Sequence, residues 1–528
     1  MLNRYQVENH RIEAVAETCR RSLYEFVKRS WHVVEPGTVF VDNWHVKAMC
    51  DHLEAVTSGN ILKLLINIAP GLMKSLLTCV FWPAWEWTND PTLRSQFGSY
   101  DEGLAVRDSV RTRDLILSDW YQLHFDPTWR LKPDANEKSY FVNTQQGARR
   151  SFGMNGKVTG FRADKLVIDD PLNARDRYSR NVKELCINIF DKVLSTRVND
   201  PRQARFVVIM QRLAYDDLAG HLLEVGGYEH LCLPSEFDPK RKAFTSIGWE
   251  DPRTEPGELL FPEFHTAEVL RGLREDTLGS DDYEGQHQQN PVPTEGGGFK
   301  DGWWQYWEWQ DERAALIRLH GKDGWTELIR LDQCRMFATV DPAVGLKEKN
   351  DPTDYGIWAV TPASKMLLLI DDINERMEEP ESIQRALGLK LAWPRLQQFV
   401  VEDNGVGRPL AQNLRNEGLA VKSISMSVDK LVASTTARVR SESGRVFLPS
   451  GAQWLPVWKT ELHLFPNGNH DDRVTGISLA AEEVFPGEAS IVGSRIVPVQ
   501  AVMPGIMRGQ APSRGLLGKP PSIDRNRR

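Results

Sequence analysis

A lysine followed by a serine stands between an apolar segment and a helix-like segment, in the sequence NIAPGLMKS at 67–75. An enzyme that hydrolyses a nucleoside triphosphate needs the backbone N–H groups of a helix amino terminus for the phosphates. It also needs a lysine for the β and γ oxygens and a hydroxyl for Mg²⁺, which Lys74 and Ser75 supply here. The usual GxxxxGKS pattern is not met, because Gly71 is the only glycine of the loop and Met73 precedes the lysine. A Lys-Ser pair that opens a helix is also common where no nucleotide binds.

Two adjacent aspartates end the apolar segment LVIDD at 166–170. A Walker B element needs a hydrophobic strand that ends in a carboxylate for Mg²⁺, followed by a carboxylate that polarises the attacking water. Asp169 and Asp170 fit these two roles in that order. A shared Mg²⁺ also lets two neighbouring acids lie at one strand end. The alternative is an acidic turn after a core strand, and it loses weight because the Lys-Ser pair lies about 95 residues upstream, with strands and helices between.

Three further acids end strand-like segments or begin a helix in the second half of the chain. Asp341 follows FATV, Glu402 follows FVV, and Asp471-Asp472 comes directly after His470. Cleavage of a phosphodiester by two metal ions needs carboxylates that converge at one edge of a sheet. Oxygen ligands favour Mg²⁺ or Mn²⁺ over zinc. Each acid alone is typical of a solvated strand end, but the three in this order, on an RNase H-like strand pattern, predict a metal-dependent nuclease.

The elements around these residues predict an α/β fold in two large parts. Near-continuous apolar segments at 64–69, 165–170 and 204–210 are typical of strands in a mostly parallel sheet that is covered on both faces. A second alternation of strands and helices begins near 335. We therefore predict an ATPase domain with a helical lead, a linker or hinge, a nuclease domain and a flexible basic tail, at 1–262, 263–330, 331–485 and 486–528.

Composition limits the class of protein. The 528 residues carry a net charge of −7, so any basic track for nucleic acid must be local. The six cysteines are widely spaced, which argues against a disulfide scaffold and a structural zinc site. No apolar run is long enough to span a membrane. The aromatic run WWQYWEW at 303–309 is predicted to pack between domains, with base stacking as the minority alternative.

The order of these motifs resembles the large terminase subunit of tailed bacteriophages, over about residues 40–485. NWHVKAMCDHLEAV resembles the adenine-side motif of that family, and LLINIAPGLMKS resembles its degenerate Walker A loop. VTGFRADKLVIDDPLNARD resembles the Walker B segment, and VVIMQRLAYDDLAGHLLE resembles the coupling segment. The remaining matches, to the hinge and the nuclease motifs, are YEGQHQQNPVPTEGG, VDPAVGLKEKNDPTDYGIW, VVEDNGVG and HDDRV.

The resemblance implies a P-loop ATPase domain of the RecA/ASCE type followed by an RNase H-like nuclease. It implies that ATP with Mg²⁺ is bound by Trp44, His45, Pro70, Gly71, Lys74, Ser75 and Asp169, with Asp170 as the catalytic carboxylate. It assigns coupling of hydrolysis to domain movement to Gln211 and Arg212. It assigns two Mg²⁺ or Mn²⁺ ions to the catalytic acids Asp341, Glu402 and Asp472, with Asp471 as a further ligand. Asp351 and Asp354 could add a ligand.

The same resemblance implies a motor that moves double-stranded DNA into the procapsid and a nuclease that cuts concatemeric DNA. The expected partners are DNA, the portal protein, a small terminase subunit and further copies in a ring, a pentamer. The expected location is the cytoplasm of the bacterial host and, transiently, the portal of the procapsid, but not the mature virion. A membrane is not an expected partner.

Four departures from the family pattern separate this sequence from many members. Gly71 stands where an arginine is common, Met73 replaces the loop glycine, QRLA at 211–214 replaces TRWH, and Thr475 occupies a position that is often aspartate. An arginine finger is not identified, although Arg149, Arg150 and Arg162 lie in the appropriate segment. Two alternatives remain: a repair or recombination ATPase-nuclease without a capsid role, and a catalytically dead prophage remnant.

Overall fold

A computed structural model describes residues 4–156, 160–291, 298–343, 352–426, 429–466, 468 and 470–486. These described residues belong to one compact unit, Met1–Gly493. The basic tail, apart from residue 486, and Asp351 lie outside the described residues. Within the described ranges, no helix combines the length and the apolar character that a membrane span requires.

The first half is built on a sheet of eight strands. Their bounds are β1 Lys63–Ile68, β2 Arg94–Ser99, β3 Leu131–Asn136, β4 Tyr140–Asn143, β5 Ala148–Gly153, β6 Lys165–Asp169, β7 Arg205–Met210 and β8 Glu229–Leu233. The strand order is β3-β4-β5-β2-β6-β7-β1-β8. All neighbours from β5 to β8 are parallel, and β3 and β4 add an antiparallel edge. One strand, β7, therefore separates the strand before the Lys-Ser pair from the strand that ends at Asp169.

Helices cover this sheet on both faces. They are α1 Arg4–Arg21, α2 Leu23–Val34, α3 Trp44–Thr57, α4 Trp82–Asn89, α5 Glu102–Leu117, α6 Asp119–Phe125, α7 Arg180–Lys192 and α8 Leu218–Val225. Two short helices follow, α9 Ala267–Gly272 and α10 Gly279–Gln286, and their apolar residues form a separate cluster. Alternate strand residues face opposite cores: Ile66 packs with residues of α1 to α4, and Leu65 packs with residues of α7 and α8. This two-sided burial explains the continuous apolar strands and confirms the predicted α/β class.

The second half is built on a sheet of nine strands, ordered β11-β10-β9-β17-β14-β13-β12-β15-β16. Their bounds are β9 Gln305–Asp311, β10 Leu316–His320, β11 Thr326–Arg330, β12 Arg335–Asp341, β13 Thr353–Val360, β14 Leu367–Glu375, β15 Leu396–Glu402, β16 Val421–Ile424 and β17 Val446–Pro449. β12 is antiparallel to β13 and parallel to β15. The helices are α11 Glu379–Ala392, α12 Gly407–Asn416, α13 Lys430–Ala433, α14 Thr435–Glu442, α15 Leu455–Leu464 and α16 Asp472–Val484.

The segment 263–330, which we predict to be a linker, has structure of its own. Residues 305–330 form β9, β10 and β11, which extend the second sheet at one edge. Trp304 packs against Trp458 at a centroid distance of 5.4 Å, inside a core of the second half. The aromatic run thus contributes chiefly to the second half's own core, instead of packing between domains. The division into four segments stays a prediction.

Candidate nucleotide and metal sites

The phosphate-loop candidate follows β1 and leads into a helix whose first turns, Leu76–Phe81, are π-helical before α4. Gly71 has φ +80° and Met73 has φ +63°, so both residues are in the left-handed region. A residue with a side chain is strained there by about 1–2 kcal/mol relative to glycine. Met73 therefore adopts the kind of backbone conformation that favours the glycine of the usual motif.

Lys74 contacts Asp170 directly, with 2.7 Å between Nζ and Oδ1. The Lys74 side chain is buried, whereas the Asp170 side chain is about one quarter exposed, at 26%. Asp170 has φ +42°, and its carboxylate accepts a hydrogen bond from the backbone N–H of Gln211 at 3.3 Å. The structure thus brings together Lys74, Asp170 and Gln211 at the carboxyl ends of β1, β6 and β7.

Asp169 fits a divalent cation. Its Oδ1 atom is buried and has no hydrogen-bond partner among the described residues. Burial, followed by the neighbouring charge of Asp170, raises the pKa of Asp169 to about 7, while Lys74 and a hydrogen bond from Ser75 act in the opposite direction. A buried carboxylate oxygen beside a serine hydroxyl is an oxygen ligand pair of the type that Mg²⁺ takes.

Trp44 and His45 lie beside the loop but differ in exposure. His45 is fully buried, its Nδ1 lies 2.7 Å from Asn43 Oδ1, and burial lowers its pKa to about 4. It is neutral and packs with its ring 5.3 Å from that of Phe261. Trp44 is half-buried and stacks on Trp249 at 6.2 Å. His45 therefore supports the loop from inside, and Trp44 alone of the pair has exposed surface.

Phe264 is a neighbour of the loop that the sequence reasoning missed. A Cβ atom placed on Gly71 would lie 3.0 Å from Phe264 Cε1, and the phenylalanine is 45% exposed. A side chain at position 71 would have to displace this ring, in addition to adopting a left-handed backbone. This contact gives a physical reason for Gly71 in place of the arginine that is common in the resembling family. The preceding residue, Pro70, lies in the same turn.

Gln211 and Arg212 occupy different surroundings. Gln211 contacts Asp170 through its backbone, as described above. Arg212 is buried, its Nε lies 3.0 Å from Asp217 Oδ1, and its backbone N–H donates to Gln289 Oε1 at 3.0 Å. The pair therefore connects the carboxylate of the first site with the segment that follows α10.

The second site forms where β12 and β15 end side by side. The parallel register pairs Val340 with Val401, so Asp341 and Glu402 are the next residues on both strands. Asp472 begins α16, which packs on both strands. Burial, followed by the charges of Glu402 and then Asp472, raises the pKa of Asp341 well above its usual value. The three acids that the sequence predicts are therefore electrostatic neighbours.

Asp471 and Asp472 have different partners. Asp471 Oδ1 lies 2.5 Å from Nζ of Lys430, on α13, while Asp472 is buried and acts on Asp341. The Thr475 hydroxyl, one turn along α16, donates to the carbonyl of Asp471 at 3.3 Å and lies close enough to Asp341 to lower the pKa of this acid. Asp472 is thus the better placed ligand for an ion held at Asp341, with Asp471 paired to a lysine beside it.

Asp354 is a fourth acid at this edge. It is opposite Asp341 in the β12–β13 register, is buried, and accepts a hydrogen bond from Asn374 Nδ2 at 3.2 Å. Burial and then the charge of Asp372 raise its pKa well above the usual value. A Cβ atom on Gly476 of α16 would lie only 2.7 Å from Asp354 Oδ2. The glycine therefore allows the helix to approach this acid.

A cavity of about 310 Å³ opens beside the acids, lined among others by Glu402, Asn404, Lys430 and Thr475. Asn404 Nδ2 donates to Glu402 Oε2 at 2.6 Å. Within the described ranges, no three Asp, Glu, His or Cys side chains form a complete metal-binding cluster. A cation here would bind through one or two carboxylates and keep water ligands, which is the usual habit of Mg²⁺.

Comparison with known families finds a match in the second half. Residues 338–483 match the family model described as the terminase RNase H-like domain. This range contains Asp341, Asp354, Glu402 and the Asp471-Asp472 pair. No curated protein matches the sequence.

Solved structures of large terminases are similar at low identity. The large terminase of a thermophilic bacteriophage in complex with ADP has 9% identity and a TM-score of 0.43, and the match covers 82% of this chain and 99% of that one. The large terminase nuclease of thermophilic phage G20c with bound magnesium has 14% identity and a TM-score of 0.25, covering 36% and 99%. The nuclease domain of Thermus phage P74-26 has 12% identity and a TM-score of 0.23, covering 34% and 89%. The family match, over residues 338–483, supports the predicted resemblance: this segment is similar to the terminase RNase H-like domain.

Proposed function

We propose that this chain is a large terminase subunit: an ATP-driven motor for double-stranded DNA that also carries a metal-dependent endonuclease. The observation that carries the proposal is the pairing of two separate acidic sites in one chain. One lies beside Lys74 at the carboxyl ends of the first sheet, and the other lies inside the segment that matches the terminase RNase H-like domain. That match favours genome packaging over a repair or recombination enzyme.

In the first site, Ser75 and Asp169 would hold Mg²⁺, and the amino end of the helix after the loop would face the phosphates of ATP. The ion would supply charge neutralisation to the β and γ oxygens. Lys74 is ion-paired with Asp170, so phosphates that attract Lys74 would release the Asp170 carboxylate. Asp170 could then orient the attacking water and accept its proton. The half-exposed Trp44 and the ring of Phe264 offer apolar surface for the adenine.

The coupling of ATP hydrolysis to domain movement would start at Asp170. Gln211 donates its backbone N–H to this carboxylate, so a change at Asp170 reaches the end of β7 directly. Arg212 then contacts Gln289 through its own backbone N–H. In the same region Arg177 Nε donates to Asp282 at 2.9 Å, and Arg438 of α14 donates to the hydroxyl of Tyr178 at 3.2 Å. These contacts join residues 177–178 of the first half to α10 and to α14 of the second half.

In the second site, Asp341, Glu402 and Asp472 would hold two Mg²⁺ or Mn²⁺ ions, with Asp471 close by. Such ions supply a hydroxide nucleophile and stabilise the leaving oxygen. The chain's own groups prepare the site: Asn404 orients Glu402, Thr475 lowers the pKa of Asp341 and Lys430 neutralises Asp471. Lys430 also lines the cavity beside the acids, where its charge would attract a DNA phosphate.

The partners follow from this function. The proposed partners are duplex DNA, a portal protein, a small terminase subunit and further copies of this chain in a pentameric ring. It places the protein in the cytoplasm of the bacterial host and transiently on the procapsid. The net charge of −7 means that DNA must contact local positive surface, which makes binding strongly dependent on salt concentration.

The test separates the two sites. Lys74→Ala should abolish ATP hydrolysis and leave metal-dependent plasmid cleavage intact, and Asp341→Ala should have the opposite effect. Lys47→Ala is a matched control, since Lys47 is an exposed lysine of the first half that pairs with Asp51. Asp332→Ala is the control for the acid, because Asp332 precedes β12, at the end of that strand opposite to Asp341, and pairs with Arg330.

Loss of both activities in either folded variant would contradict the assignment of two independent sites. Wild-type protein that neither hydrolyses ATP nor cuts DNA with Mg²⁺ or Mn²⁺ would favour the catalytically dead alternative. Binding to a portal protein, measured on the same preparations, would distinguish a packaging motor from an enzyme that unwinds forked DNA.

A further inference from the structure

A polar cavity of about 480 Å³ opens on the first sheet, away from both sites described above. Three arginines from three segments line it: Arg94 at the start of β2, Arg150 in β5 and Arg162 just before β6. The rings of Tyr140 and Phe161 are also in the lining. Among the described residues that line this cavity there is no aspartate or glutamate. A carboxylate, Asp164, lies behind the lining and accepts hydrogen bonds from Asn199 Nδ2 at 2.6 Å and from the Arg94 backbone N–H at 3.0 Å. Three arginines beside this acid leave the lining with a net positive charge that suits an anion.

The strand register explains why these groups share one face. Gln96 of β2 is paired with Arg150 of β5, and Arg94 is paired with Ala148. Side chains alternate between the faces of a strand, so residues 94 and 96 of β2 point to the same side as residues 148 and 150 of β5. The neighbouring residue of β5, Arg149, points the other way, where it donates to the carbonyl of Cys79 at 2.8 Å.

Gln96 is the unusual member of the lining. It is 2% exposed, and neither the oxygen nor the nitrogen of its amide has a hydrogen-bond partner within the part of the chain that the structure describes. Buried polar atoms are nearly always paired in native proteins. A buried amide with an open donor and an open acceptor is complementary to a ligand that offers both, such as the edge of an adenine base.

The aromatic and cationic groups add a flat surface and anion donors. The Arg150 guanidinium lies 3.9 Å over the ring of Phe161, and the Tyr140 ring meets Phe161 edge-on at 5.4 Å. Arg94 donates Nε to the carbonyl of Gln146, and Arg162 donates Nη1 to the carbonyl of Val198. Each guanidinium has five N–H groups in a planar fork, a geometry that fits phosphate oxygens.

We propose that this cavity binds one nucleotide unit, with its phosphate on the arginines and its base against Gln96 and Phe161. A volume of about 480 Å³ suits a ligand of this size and excludes a duplex. The unit is either a free nucleoside phosphate or a nucleotide at the end of a DNA single strand. Because the cavity lies near the amino ends of β2 and β6, it is separate from Lys74 and Asp169 at the carboxyl ends of the sheet.

The test uses the full-length chain with Lys74→Ala, in EDTA, so that the phosphate loop and Mg²⁺ do not contribute to binding. Equilibrium binding of AMP, of inorganic phosphate and of a short adenine oligonucleotide is measured by calorimetry. We expect AMP to bind in this background. Competition by the oligonucleotide would identify a DNA strand as the source of the nucleotide, and AMP binding without such competition would identify a free nucleotide.

Two further substitutions in that background locate the site. Arg162→Ala should weaken the binding of both AMP and inorganic phosphate at least tenfold. Gln96→Leu should weaken the binding of AMP tenfold and leave the binding of phosphate unchanged. Arg180→Ala, at an arginine outside the cavity whose side chain is 84% exposed, is the control and should have no effect. A purely structural glutamine would not discriminate between the two ligands.

The proposal is overturned if neither AMP nor the oligonucleotide binds at millimolar concentration, or if Arg162→Ala and Arg180→Ala bind AMP equally well. The test does not depend on the proposed function, because it measures neither ATP hydrolysis nor DNA cleavage. A wild-type protein without ATPase activity would leave this binding experiment valid.

Discussion

Two helical glycines with opposite surroundings provide the sharpest test of the second site. Gly476 of α16 faces Asp354, and a Cβ atom there would lie 2.7 Å from Oδ2 of this acid and 3.6 Å from Oγ1 of Thr339. Gly388 of α11 has no atom within 4 Å of its Cβ position. Both are interior helix positions, so the backbone effect of Gly→Ala is the same at each, a gain of about 0.5–1 kcal/mol.

The packing effect differs between the two positions. At Gly476 the added methyl group overlaps a buried carboxylate oxygen, and overpacking of this kind costs about 1–3 kcal/mol. We therefore expect Gly476→Ala to lower the free energy of unfolding by about 1 kcal/mol. Gly388→Ala should raise it by about 0.5–1 kcal/mol. Asp354 must also move, together with its hydrogen bond from Asn374.

The movement of Asp354 should lower the nuclease activity, because this acid is opposite Asp341 in the strand register. A displacement of about 1 Å near reacting groups lowers rates by up to about 100-fold. We expect plasmid cleavage by Gly476→Ala to fall at least tenfold while ATP hydrolysis is retained. The assay compares cleavage in Mn²⁺ and denaturant unfolding for both variants. Equal stability and equal cleavage for the two variants would refute the packing argument.

Three further predictions concern other parts of the molecule. Met73→Gly should remove the strain of the left-handed backbone at φ +63°, raise the free energy of unfolding by about 1–2 kcal/mol and keep ATP hydrolysis. The measurements are the ATPase rate and denaturant unfolding. A loss of stability would show that the packing of the Met73 side chain outweighs the strain. Lys430→Ala should slow DNA cleavage without changing ATP hydrolysis, because it removes the partner of Asp471, and unchanged cleavage would exclude a role for this lysine. Burial lowers the pKa of His287 to about 3, so the unfolded chain binds a proton below pH 6.5 that the folded chain does not. The contribution of His287 to stability is complete above pH 6.5 and is lost as the pH falls below that value. Relative to His287→Gln, the free energy of unfolding of the wild type should fall by about 2 kcal/mol on going to pH 5. Parallel pH profiles of unfolding for the two proteins would contradict this.

The charged groups of the two sites are arranged differently. In the first site the acid that would orient water is ion-paired with the lysine that would bind phosphate, so the two groups neutralise each other. In the second site the acids crowd each other, and the pKa of Asp341 is raised by Glu402 and Asp472 after burial. Crowded carboxylates of this kind are stabilised when cations are bound. Under the proposed function, the first arrangement would respond to an anionic ligand, and the second would respond to metal ions.

Candidate site residues that follow strands could be predicted from the sequence alone. Lys74, Asp169, Asp341 and Glu402 each follow a continuous apolar segment, and such segments become buried strands whose carboxyl ends carry the polar groups. The pattern is local, since hydrophobic burial selects the strand and the next polar residue marks its end. The order of these segments along the chain was enough to indicate two sites and the family resemblance.

Contacts between distant segments were decided only by the tertiary structure. The approach of Gly476 to Asp354, the ring of Phe264 over Gly71 and the convergence of Gln96 with Arg150 depend on strand register and helix packing, which join residues far apart in the chain. A shift of register by one residue would turn Gln96 to the opposite face of its strand. Residues 305–330 show the same limit: their strands are short and mixed in polarity, and they become part of the second sheet only because β17 offers an edge to pair with β9.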